Sequence, residues 1–142
     1  MSKPELVYVN HIKATPERVW QALTDPAFTA LYWYGTRLES DWQVGSPITF
    51  HKAEGMGPPD TGTVLIADRP RKLAYSWIVN FPALAGERAS RVTFTLEPED
   101  AGTKLSLVHD EFDEGSKIAE TLKGDYGWPG ILAGLAQTAE AA

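Results

Sequence analysis

The sequence predicts an α+β fold: a curved antiparallel sheet, two short helices after the first strand, and a long C-terminal helix that closes the sheet. Three observations carry this. Period-2 alternation at residues 5–13 runs directly into two helix-start signals, residues 36–112 read as strands and turns, and one helical stripe ends the chain. At 142 residues, with no internal repeat, low-complexity tract or linker, residues 1–142 read as a single domain.

The elements follow in order. Along residues 5–13, Leu6, Tyr8, Asn10 and Ile12 share one face and Val7, Val9, His11 and Lys13 the other, the signature of a half-buried strand. Thr15-Pro16-Glu17 then supplies an N-cap, a proline at the first helical position and an acid in the first turn. Val19, Trp20 and Leu23 follow at helical spacing. Asp25-Pro26 repeats the cap-plus-proline signal and opens a second helix carrying Phe28, Leu31 and Tyr32. Strands are predicted over 36–42, 47–53, 61–68, 72–80, 88–97 and 103–112. Turns fall at Val44-Gly45-Ser46-Pro47, Gly55–Asp60, Asp68-Arg69-Pro70 and Pro98–Gly102. Connections this short imply an antiparallel meander. Residues 81–87 are expected to be a loop in which Phe81, Leu84 and the alanines Ala83 and Ala85 fold over the mouth of a cavity. Ser116–Lys123 suits one short helix. Trp128, Ile131, Leu132, Leu135 and then Thr138 or Ala139 form the final apolar stripe.

Composition narrows the function. Without cysteine there is no disulfide, thiolate nucleophile, iron–sulfur cluster or zinc ribbon. Thirteen Lys and Arg against 19 Asp and Glu leave a net charge of −6, a poor match for nucleic acid. No apolar run approaches the roughly 20 residues of a membrane span, and Met1-Ser2-Lys3-Pro4 leads straight into a strand-like segment. No membrane association and a cytoplasmic location are therefore expected.

Several segments together resemble a known family. Thr15-Pro16-Glu17-Arg18-Val19-Trp20-Gln21-Ala22-Leu23-Thr24-Asp25-Pro26 is similar to the opening of activator-of-heat-shock-protein-90-ATPase-homologue-like proteins, members of the START-like SRPBCC superfamily. Val44-Gly45, Gly62–Leu65 with Pro70, Leu73–Trp77, Gly102–His109 and Gly127-Trp128 stand in the family's order. The family's usual Gly-Gly turn is Gly45-Ser46-Pro47 here, and Pro129 after Trp128 fits the first turn of the last helix. The resemblance implies the helix-grip (START/Bet v 1-like) fold over the whole chain. It also implies a small-molecule cavity of unknown occupant, or a surface for another protein. The eukaryotic co-chaperones carry an additional N-terminal domain, for which 142 residues leave no room.

Catalytic motifs are absent: no Gly-x-Ser-x-Gly elbow, no His-Glu-x-x-His, no phosphate-binding Gly-Lys-Ser/Thr loop. No catalytic residue, metal or cofactor is assigned. Strand parity puts His109 inward with Leu105 and Leu107 and His11 on the face opposite Ile12, so the histidines His11, His51 and His109 do not converge. His109 reads as a core-edge histidine satisfied by a neighbour, and in the alternative as a polar anchor or general acid/base. Asp110, Glu111, Asp113 and Glu114 lack the spacing of a calcium loop.

Aromatics carry the functional signal, with five each of Trp, Tyr and Phe. Tyr75 and Trp77 share parity with Leu73, and Phe94 with Val92 and Leu96. As plain core, each such ring removes about 150–250 Å² from water. As a cavity wall, the predicted ligand-binding set is Tyr8, Asn10, Trp33, Phe50, Tyr75, Trp77, Phe94, His109 and Trp128. The leading expectation is a non-enzymatic protein that binds a hydrophobic or aromatic small molecule between the curved sheet and the last helix. The alternatives are a cyclase or dehydratase using His109 with Tyr8 or Tyr75, and a module that binds a chaperone, a regulator or a second copy of itself through an exposed apolar patch.

Overall fold

The computed structural model describes residues 3–81, 84 and 86–141. Its elements run β1 (Leu6–Ile12), α1 (Pro16–Thr24), α2 (Pro26–Tyr32), β2 (Arg37–Glu39), β3 (Pro47–His51), β4 (Asp60–Asp68), β5 (Lys72–Trp77), β6 (Ser90–Glu99), β7 (Gly102–Asp110), α3 (Lys117–Leu122) and α4 (Trp128–Glu140). The seven strands form one sheet in the order β1-β7-β6-β5-β4-β3-β2, antiparallel throughout. After β1 the chain passes through α1 and α2 to the opposite edge, then meanders back until β7 pairs with β1. This is the helix-grip arrangement.

The local signals explain most boundaries. Thr15 accepts the Arg18 N–H through its side chain and Asp25 accepts that of Ala27, so each proline-led helix is capped where its sequence starts it. Ser116 caps α3 through the Ala119 N–H. Pro129 takes the second position of α4, whose 13 residues span roughly 20 Å. Its buried stripe is Trp128, Ile131, Leu132, Leu135 and Ala139; of the two endings the sequence allowed, Ala139 faces the core.

Several strand limits differ from the sequence reading. β2 stops at Glu39 rather than 42, because Trp42 turns to φ +55° and its indole N–H donates to Thr24 O at 3.0 Å. Past Trp77, β5 keeps a single bridge, Ile78 to Thr61. β6 and β7 instead stay paired through Glu99 and Gly102, leaving only Asp100 and Ala101 to turn. Gly102 makes that turn feasible at φ +151°. β7 ends at Asp110, where Glu111 takes φ +63°. A register shift between Val64 and Ile66 sets Leu65 out of the β4–β5 ladder and adds local bend.

The core lies between the concave face of the sheet and the helices. β1 buries Leu6 and Ile12, and β5, β6 and β7 contribute Leu73, Val92, Leu96, Leu105 and Leu107. Among the described residues no helix is long and apolar enough to cross a membrane.

Candidate functional site

Trp128, the first residue of α4, is fully buried and fixes the centre of a ring cluster. Its ring meets Trp33, Trp77, Phe94 and His109 edge-on, at centroid distances of 5.4, 6.1, 6.0 and 5.8 Å. Phe50 and Trp77 stack with an interplanar angle of 4° at 5.4 Å, and Tyr75 stands 5.9 Å from Phe50. These aromatics fill the space between sheet and α4 by edge and face contacts. Here the predicted ligand-binding residues Phe50, Tyr75, Phe94, His109 and Trp128 are brought together, but they pack on one another. Tyr8 and Asn10 sit half-buried on the inward face of β1, outside the ring cluster, and neither lines the recess described below.

His109 is the polar centre of this cluster. Its Nδ1 accepts from Trp128 Nε1 at 2.9 Å, and its Nε2 lies 2.7 Å from Ser90 Oγ. An indole N–H can only donate, so Nδ1 carries no proton and the neutral ring is the Nε2–H tautomer, donating to Ser90. The Ser90 hydroxyl in turn donates to Trp77 O at 3.4 Å. Every polar position is used. Burial lowers the His109 pKa to about 3, so the ring is neutral at physiological pH. The Tyr75 hydroxyl is buried without a hydrogen bond among the described residues, and its pKa is raised by the same burial. No hydrogen bond among the described residues joins His109 to Tyr8 or Tyr75.

Open space begins where the ring cluster stops. A recess of about 340 Å³ lies at one end of the grip, between α3, the start of α4, and the ends of β3, β4 and β5. Trp33, Trp77, Val79, Ile118, Leu122 and Ile131 form its apolar wall, with Tyr34, Met56, Phe81 and Tyr126 exposed around it. Phe81 and Leu84 line it, as the reading of the 81–87 loop expected; Ala83 and Ala85 lie outside the described residues. Of the predicted site residues, only Trp33 and Trp77 reach this recess.

Two charged residues that the sequence reading passed over sit in its wall. Asp60 is buried and accepts from Trp77 Nε1 at 2.9 Å and from the Asn80 N–H at 2.7 Å. Lys52 Nζ lies 2.8 Å from Asp60 Oδ1, a close ion pair, and 5.8 Å from the centre of the Phe81 ring. Lys52 follows Ile48 and Phe50 at period 2, so strand parity alone already turns it inward. Asp60 stood one residue before the expected strand and read as a turn. The register pairs it with Phe50 and so brings it beside Lys52.

A broad depression of about 670 Å³ over α1 and α2 is walled by Glu17, Arg18, Gln21, Ser40 and Arg69, with Arg69 and Glu17 paired at 2.9 Å and both exposed. His11 pairs with Glu99 and His51 with Glu39, both at the surface and apart from His109. Among the described residues no three His, Asp or Glu side chains group as metal ligands.

Comparison with known proteins places this geometry. The family model described as Activator of Hsp90 ATPase homolog 1-like protein matches residues 13–140. A crystal structure of a Mesorhizobium loti protein is similar over 98% of both chains, with 26% identity and a TM-score of 0.80. A Nitrosomonas europaea protein shares the fold at 18% identity and TM-score 0.77, covering 96% of this chain and 94% of its own. The solution structure of the Aha1 dimer from Colwellia psychrerythraea does so at 21% identity and TM-score 0.76, covering 96% of each chain. No curated protein matches at the level of sequence.

Proposed function

This chain belongs to the Activator of Hsp90 ATPase homolog 1-like family, and on that premise we propose that it binds a small, mainly apolar molecule in the recess beside Trp33 and Trp77. The observation that carries this reading is the contrast between a packed interior and an adjoining apolar space of about 340 Å³, within the range of small-molecule sites. Binding draws on apolar area removed from water, roughly 25 cal/mol per Å² before the costs of association. The ligand enters past Tyr34, Met56, Phe81 and Tyr126, so the site is displaced toward one end of the grip rather than buried beneath α4.

The cyclase or dehydratase reading gains nothing from this placement. His109 is neutral, both its nitrogens are engaged, and it does not line the recess. A general acid or base must reach the proton it moves.

Native mass spectrometry of freshly purified protein, followed by titration with ethylnaphthalene, tests the proposal. A co-purifying adduct, or shifts of the Trp33 and Trp77 indole resonances on titration, is the expected result. No adduct and no shift of either indole overturns it. The same spectrum reads self-association as a doubled mass, the dimeric state of the Colwellia psychrerythraea protein.

A further inference from the structure

The wall of the recess holds an imbalance between donors and acceptors. Asp60 is saturated: Oδ2 accepts the Trp77 indole N–H, and Oδ1 accepts the Asn80 N–H and faces the Lys52 ammonium. Lys52 is the reverse. Its ammonium is hidden from solvent and held 2.8 Å from Asp60, which balances its charge, while no further acceptor among the described residues meets its remaining N–H groups. The Phe81 ring lies over it, and Phe81 is 43% exposed, so that ring can swing outward. A buried donor left unmade is expensive, and more so when it is charged.

Resting on the reading of the recess as a binding site, we infer that its ligand is an amphipathic molecule with an apolar body and one uncharged oxygen acceptor, such as a ketone, amide or ester carbonyl. The apolar body lies against Trp33, Trp77, Leu122 and Ile131. The carbonyl oxygen takes the place of the Phe81 ring over Lys52 and accepts an N–H from it. The charge balance selects against a carboxylate. Asp60 already neutralises Lys52 from 2.8 Å, so a second anion on the far side of Nζ would be desolvated while facing Asp60 across a single cation. A neutral carbonyl meets the same donor without that penalty.

Three probes of one shape test this on the unaltered protein: acetylnaphthalene, ethylnaphthalene and naphthoate, followed by calorimetry and by the Trp77 indole resonance, whose N–H donates to Asp60. Acetylnaphthalene is expected to bind about tenfold or more tighter than ethylnaphthalene, as a hydrogen bond to a charged donor implies, and tighter than naphthoate. Equal binding of the ketone and the hydrocarbon overturns the ligand class while leaving the recess as a site. Tighter binding of naphthoate overturns it in favour of an anionic ligand. Binding of none of the three overturns the underlying proposal instead. Lys52→Met, checked for folding by thermal denaturation, should abolish the advantage of the ketone over the hydrocarbon. Retention of that advantage in a folded variant would also refute the inference.

Discussion

The ring cluster around His109 and the recess around Lys52 lie side by side and share Trp33 and Trp77, yet they treat a buried polar group in opposite ways. His109 is uncharged, with Trp128 donating to one nitrogen and Ser90 accepting from the other. Lys52 is paired with Asp60, its remaining N–H groups meet no acceptor among the described residues, and open space adjoins it. The first region is closed on itself; the second keeps donor capacity beside open space. A surplus of aromatic residues therefore does not locate a binding site. Polar groups left incompletely satisfied beside unfilled volume do so better.

The sharpest way to break the comparison is Trp128→Ala. If the ring cluster is the structural centre, this truncation destabilises the fold by about 3–5 kcal/mol, read by urea denaturation, because it opens a void and removes the donor to His109. Unchanged stability would mean that Trp128 is not packed there.

The next test uses pH. The His109 pKa is 6.5 in the unfolded chain and about 3 in the folded one, so the unfolded state takes up a proton first as pH falls. Stability from this group is complete above pH 6.5 and is lost progressively as pH drops toward 3. By pH 5 the loss is about 2 kcal/mol. Comparing wild type with His109→Asn at each pH isolates this contribution from the carboxylates. A stability difference that stays constant between pH 7 and pH 5 would contradict the buried neutral ring.

The smallest effect on stability is expected from Thr121→Trp, at an exposed position lining the recess. A larger side chain there should change stability by no more than about 0.5 kcal/mol while weakening ethylnaphthalene binding about tenfold or more. Unaltered binding in this variant would move the site elsewhere, and a large loss of stability would mean that this end of the molecule is as tightly packed as the other.

Much of the fold could be read from local pattern. Thr15-Pro16 and Asp25-Pro26 mark both early helices, and the stripe from Trp128 to Ala139 describes the face of α4. The family resemblance pointed to the same fold. The candidate site was far less legible. Alternation with Ile48 and Phe50 was enough to turn Lys52 inward, but its partner depends on the register between β3 and β4. His109 pointed inward by the same rule, while Ser90 and Trp128, each 19 residues away, meet it only once β6 pairs with β7 and α4 closes over them.

By itself the sequence determined the order of elements, the cap of each early helix and the inward face of each main strand. Those depend on spacings of two to four residues, which local backbone geometry enforces. Only the tertiary structure decided which rings fill the interior and which end stays open. Volume and hydrogen-bond satisfaction are sums over residues distant in the chain, and no local pattern contains them.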